Sequence, residues 1–201
     1  MWFGKRLFDT FCASIGLVIL SPLFTFVALW IKRDSEGPIF FRQVRVGLNG
    51  VPFRIHKFRT MRSDAEAKGL QITIGADPRI TPSGQFLRKY KIDELPQLID
   101  VVCGTMSLVG PRPEVPKYVE QYPASIKAVA LSVRPGITDR ASIEFKDENE
   151  ILGTSTQPEK DYIEKILPIK LKYHLEYASN ASFLGDLKLI FLTLKEIFIS
   201  R

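Results

Sequence analysis

The run Lys91-Ile92-Asp93-Glu94-Leu95-Pro96-Gln97 sets two adjacent carboxylates at the start of a predicted helix. Pro96 is tolerated there because first-turn N–H groups have no helical partner. Two roles suit such carboxylates. Asp at a helix N-terminus commonly bonds a free N–H and complements the helix dipole. The pair can also work on a diphosphate, one carboxylate as nucleophile toward phosphorus and the other holding a magnesium ion. That chemistry needs cations over the nonbridging oxygens, and Lys57, Arg59, Arg88, Arg112 and Arg134 occupy strand or turn positions that can meet such a helix end. Pro111 and Pro113 stiffen the backbone around Arg112, and Pro135 follows Arg134. A solvated cationic face and rigid surface turns are the plain alternatives.

These side chains need elements to carry them. After Gly37-Pro38, Ile39–Val46 and Val51–Met61 read as strands joined at Leu48-Asn49-Gly50, a hairpin signal. Period-two alternation puts Lys57 and Arg59 on one face and Phe58 on the other, so the two cations are expected to converge on one anion. Residues 63–70 read as a short helix or loop, and Asp77-Pro78-Arg79 and Thr81-Pro82-Ser83-Gly84 read as turns. A helix over Leu95–Val102 is expected to end at Gly104, and a further helix precedes Arg134. Helical spacing covers Glu159–Tyr177, bent at Pro168, and Phe183–Ile199, whose broad apolar face suits a core or a membrane interface.

The N-terminal segment is different in kind. The 22 residues Thr10–Ile31 hold no charge, and at ~1.5 Å per residue they can cross a bilayer core of roughly 30 Å. No small-residue cleavage site follows, which argues against a signal peptide. Ser21-Pro22 predicts a sharp bend. Lys5 and Arg6 precede the run and Lys32 and Arg33 follow it, with Trp2 and Trp30 near the ends. Basic flanks on both sides favour a re-entrant hairpin with both ends in the cytoplasm; a kinked single-span anchor satisfies the same residues.

Composition narrows the function classes. The formal charge of +6 over 201 residues suits a phosphate-rich partner, be it nucleotide, anionic lipid or nucleic acid. Cys12 and Cys103 have neither metal-site spacing nor the number of a disulfide framework, and His56 and His174 are too few for a histidine-rich metal centre. Walker, kinase and dinucleotide-binding signatures are missing.

Lys57-Phe58-Arg59-Thr60-Met61, Asp93-Glu94-Leu95-Pro96-Gln97, Ser107-Leu108-Val109-Gly110-Pro111-Arg112-Pro113 and Arg134-Pro135-Gly136-Ile137-Thr138 follow in order behind a basic-flanked apolar segment. Together they resemble the monotopic polyprenyl-phosphate phosphoglycosyl transferases, the bacterial sugar transferase family, over nearly the whole chain. The resemblance implies a mixed α/β, mainly helical fold: a re-entrant membrane helix over 1–36, broken at Ser21-Pro22, then a cytosolic catalytic domain over 37–201 with a β-hairpin and interfacial amphipathic helices. It also implies Asp93 as the nucleophile, Glu94 as a ligand of Mg2+, and Arg112 as a substrate-binding residue; Lys57, Arg59, Arg88 and Arg134 follow by motif position and charge. The implied partners are a UDP-sugar, polyprenyl phosphate and the membrane, with no nucleic acid, and the implied place is the bacterial inner membrane with the catalytic domain facing the cytoplasm. Larger relatives carry further N-terminal membrane helices, so the chain resembles the minimal catalytic form. Likeness to small enzymes that start protein glycosylation makes UDP-N,N'-diacetylbacillosamine the first expected donor. Many relatives have glycine after the Arg-Pro-Gly-Ile-Thr run, where this chain has Asp139-Arg140. The competing class is a membrane-anchored protein that binds anionic lipid or nucleic acid without catalysis, Asp93-Glu94 merely capping a helix.

Overall fold

The computed structural model describes residues 3–63, 75 and 77–199. Trp2 and the segment read as short helix or loop beyond Ser63 lie outside the described residues. The apolar run forms α1 (Phe3–Asp34), the one helix among the described residues long and apolar enough to cross a membrane. Helical structure runs through the expected break. Pro22 has no N–H for the Val18 carbonyl four residues back, and the Ser21 hydroxyl donates to that same oxygen at 2.8 Å. The proline's lost bond is thereby replaced by a side chain.

Both ends of α1 are docked on the rest of the chain. Its last turn joins α2 (Pro82–Lys89): Val27 and Ile31 pack with Phe58 and Leu87, and the Asp34 carboxylate accepts from the Ser83 N–H at 3.0 Å and its hydroxyl at 2.6 Å. Its first turns meet α3 (Gln97–Cys103) and α10 (Phe183–Ile199). Ala13 packs with Ile55, Val101 and Met106. Lys5 is buried against Asp186 and lies 3.6 Å from Asp9, and Arg6 donates to the Val101 carbonyl at 2.6 Å. The two leading basic residues, read as the flank of the apolar run, are bound to buried carboxylates and to the carboxyl end of α3. Leu7, Phe11, Val18, Ile19, Phe26 and Leu29 of α1, and Leu184, Phe191 and Leu194 of α10, leave their apolar side chains exposed.

The hairpin follows as two short antiparallel pairs, β1 (Phe40–Phe41) with β4 (Lys57–Phe58) and β2 (Val44–Val46) with β3 (Pro52–Arg54). Asn49 and Gly50 turn it at φ 55° and 81°, the left-handed geometry that Asn-Gly favours. Thr81-Pro82-Ser83-Gly84, read as a turn, instead starts α2: the Thr81 hydroxyl accepts from the Gly84 N–H at 3.1 Å and proline takes a first-turn position. Gly104 closes α3 at φ 88°.

β5 (Ser107–Val109) pairs in parallel with β6 (Gly136–Thr138). A Cβ at Gly110 or Gly136 would overlap backbone of the other strand's segment, so these glycines let the Pro-Arg-Pro turn lie against Arg-Pro-Gly-Ile-Thr. Around this pair stand α4 (Pro116–Val119), α5 (Ala124–Ala130), α6 (Arg140–Glu144), α7 (Glu148–Gly153), α8 (Pro158–Asp161) and α9 (Leu167–Asn180). Tyr118, Tyr162, Leu152, Leu167 and Leu171 form their shared core. A π-turn, Tyr162–Ile166, separates α8 from α9. The backbone stays helical from α8 through this turn into α9, so the expected helix is one run interrupted by a π segment that ends just before Pro168.

Candidate active site

Asp93 and Glu94 lie in a 3-10 turn, Ile92–Glu94, entered through Lys91 in the left-handed region at φ 55°. The helix that follows, α3, begins with no side-chain cap bond. Neither carboxylate is therefore spent on capping it, and both are available to other partners.

Two segments converge on Glu94. From β4, Lys57 Nζ donates to Glu94 Oε1 at 2.8 Å. From the Pro-Arg-Pro turn, one Arg112 terminal nitrogen donates to Oε2 at 3.0 Å and the other to Oε1, a bidentate fork. Burial opposes the Glu94 charge, but Arg112 and Lys57 overcome it and hold the carboxyl well below its ordinary value. Burial likewise pushes Lys57 down to about 8, against the pull of Glu94. Asp93 is different. Buried, with Oδ1 lacking any hydrogen-bond partner, it is pushed up, first by desolvation and then by the charge of Glu94, with Lys57, Arg88 and Lys91 opposing. The two neighbouring carboxyl groups are thus shifted in opposite directions.

The other expected cations divide. Arg88, near the end of α2, lies in the field of Asp93, Asp77 and Glu94. Arg59 does not join Lys57: its guanidinium donates to the Glu36 carbonyl at 2.8 Å and the Ser35 carbonyl at 2.7 Å. β4 ends at Phe58, so the strand alternation that would have aligned Arg59 with Lys57 stops one residue short. Arg134 also lies elsewhere, its Nε donating at 3.0 Å to the Gly104 carbonyl at the far end of α3 from Glu94. The alternation reading overlooked Arg45 of β2, which donates to the Pro113 carbonyl at 3.0 Å and supports the Pro-Arg-Pro turn. A cation between two valines, Val44-Arg45-Val46, was the available signal.

No group of three or more metal-ligating side chains forms a cage among the described residues. Magnesium does not require one, since it takes one or two carboxylates and completes its shell with phosphate oxygens and water. The unpartnered Asp93 Oδ1 and the adjacent Glu94 fit that pattern. Glu94 would have to loosen from Lys57 or Arg112 to serve.

The description "Bacterial sugar transferase" fits the family matched by residues 1–200. The chain is 37% identical over 199 residues to the UDP-glucose:undecaprenyl-phosphate glucose-1-phosphate transferase of Escherichia coli K12, covering 98% of this chain and 40% of that protein. It is 36% identical over 197 residues to the UDP-N-acetylgalactosamine-undecaprenyl-phosphate N-acetylgalactosaminephosphotransferase of Aeromonas hydrophila, covering 97% of this chain and 44% of that one. With the exopolysaccharide production protein PSS of Rhizobium leguminosarum the identity is 35%, over 93% of this chain and 91% of that protein. The chain spans about two fifths of the length of the first two relatives. The match along nearly all of its length establishes that the chain belongs to the bacterial sugar transferase family.

Proposed function

We propose that this chain is a phosphoglycosyl transferase that moves a sugar 1-phosphate from a UDP-sugar to undecaprenyl phosphate and releases UMP. The observation that carries the proposal is the pair Asp93-Glu94, one carboxylate unpartnered and the other forked by Arg112, within a set of cations suited to a diphosphate. An Asp93 oxygen attacks the phosphorus that bears the sugar, the bond from that phosphorus to the UMP oxygen breaks, and UMP leaves. A phosphate oxygen of the lipid then attacks the same phosphorus, the bond to Asp93 breaks, and the carboxylate is restored. Magnesium, held by Glu94 and substrate phosphate, would withdraw charge from the diphosphate. Lys57 and Arg112 orient the donor phosphates, and Arg88 adds positive potential at Asp93. A nucleophile with a raised pKa still reacts as its carboxylate, which cations in the filled site favour.

The same reading places the chain on the cytoplasmic face of the bacterial inner membrane. The docking of both ends of α1 on one body, with apolar side chains such as Val18 and Ile19 exposed between them, supports a helix that enters and leaves the bilayer on one side. The exposed face of α10 then lies along the interface.

The test is mass spectrometry of purified protein with magnesium and a panel of donors: UDP-glucose, UDP-galactose, UDP-N-acetylglucosamine, UDP-N-acetylgalactosamine and UDP-N,N'-diacetylbacillosamine. Without lipid acceptor, one donor adds the mass of its sugar phosphate at Asp93, and undecaprenyl phosphate removes it. UMP formed only when both substrates are present would replace the covalent route by direct attack of the lipid phosphate. UMP from no donor would return the chain to a binding role.

A further inference from the structure

Asp139 is the N-cap of α6, its Oδ1 accepting from the Ser142 N–H at 2.7 Å. Its other oxygen does something a cap does not require: Oδ2 accepts from the backbone N–H of Arg112 at 3.2 Å. His174 of α9 brings Nε2 to 3.4 Å from the same Oδ2. Asp139 and His174 are 3% and 2% exposed, so water does not substitute for either partner. The geometry has a direct topological cause. β5 and β6 run parallel, so the residue after β6 faces the turn that leaves β5, and that turn carries Arg112. Burial acts against the Asp139 charge, yet His174 and the Ser142 N–H hold its carboxyl below the ordinary value.

We propose that Asp139 is a positioning residue that fixes Arg112 and through it the fork on Glu94. Arg112 has proline on both sides, so little backbone freedom remains once its N–H is bound. The guanidinium then leaves the turn in one direction, toward Glu94 at the front of the site. The inference rests on the assignment of Arg112 to the donor site.

Asn caps helices as well as Asp, so Asp139→Asn keeps the bond to Ser142 while turning an amino group toward the Arg112 N–H. UMP release is measured for wild type, Asp139→Asn, Arg112→Ala and the double variant, with whichever of UDP-glucose or UDP-N-acetylgalactosamine reacts faster, undecaprenyl phosphate and magnesium; thermal melts are recorded alongside. Asp139→Asn is expected to lower kcat/KM about tenfold in the wild-type background and less than about twofold in the Arg112→Ala background. Equal losses from Asp139→Asn in both backgrounds, or a loss accounted for by the unfolded fraction in the melts, overturn the positioning role. An Arg112→Ala enzyme as fast as wild type would instead remove Arg112 from the site and leave Asp139 a structural cap.

Discussion

Two buried charge clusters flank the Pro-Arg-Pro turn, and they are built to opposite ends. On one side Asp93 and Glu94 stand among Lys57, Arg88, Lys91 and Arg112, with positive charge in excess and one aspartate oxygen unpartnered. On the other, Glu114 and Glu148 meet Lys170 and Arg45. Lys170 Nζ lies 2.5 Å from Glu148 and 3.8 Å from Glu114, and the Tyr162 hydroxyl also donates to Glu114. The second cluster is balanced and ties α9 to the turn and to α7. In the proposed reaction the donor diphosphate would balance the first. Balanced charge builds structure, whereas surplus charge is stability withheld in favour of binding.

The sharpest way to break this contrast is Asp93→Asn. Turnover is expected to fall at least about 10^3-fold, because the nucleophile is lost, while the melting temperature holds or rises. Burial raises the Asp93 pKa, so its ionised form costs the folded state free energy at pH values above that raised value, and the amide removes this penalty. A clear loss of thermal stability would show that Asp93 supports the fold as Glu114 does.

Lys170→Met tests the balanced side. It removes the cation shared by Glu114 and Glu148 and is expected to cost about 3 kcal/mol in denaturant unfolding, with a smaller loss of turnover per folded molecule than Arg112→Ala produces. A variant as stable as wild type would mean that the cluster contributes specificity of packing and little stability. The same cluster has a pH signature. Burial resists the Glu114 charge, but Lys170, Arg45 and Tyr162 hold its carboxyl below the ordinary value. Its contribution is therefore present above the unfolded carboxyl value of about 4.3 and is lost as pH falls through the lower folded value. Glu114→Gln should be less stable than wild type at neutral pH and should lose this part of the acid-induced decline; unchanged acid sensitivity would assign the decline to other carboxylates.

The sequence made the first cluster more legible than the second. Asp93-Glu94, Lys57 and Pro-Arg-Pro announce themselves as charges in turns and as an ordered set of motifs, and the hairpin and the extent of α10 follow from Asn-Gly and apolar spacing. Glu114, Glu148 and Lys170 carry no local signature, because their pairing depends on how α9 returns across the β5–β6 pair. Asp139 was visible only as a departure from a motif; its bond to Arg112 comes from strand pairing between distant segments. Pro22 marked a disturbance in α1, and the serine beside it supplied the hydroxyl that bonds the freed carbonyl.

The smallest effect tests where the surplus ends. Arg59 follows Lys57 by two residues, yet its planar guanidinium spans the Ser35 and Glu36 carbonyls just beyond α1. Lysine keeps the charge but presents a single ammonium, which cannot reproduce a fork across two carbonyls. Arg59→Lys is therefore expected to cost about 1 kcal/mol of stability and to change UMP release by less than about twofold. The corner it holds also includes Asp34 on the Ser83 N–H, which continues to fix the exit from α1 when the fork is lost. If Arg59→Lys instead melts like wild type and loses activity tenfold or more, the guanidinium reaches substrate phosphate during the reaction. The excess of cations then extends along the strand from Lys57, and the boundary between the charge that builds and the charge that binds moves to the end of α1.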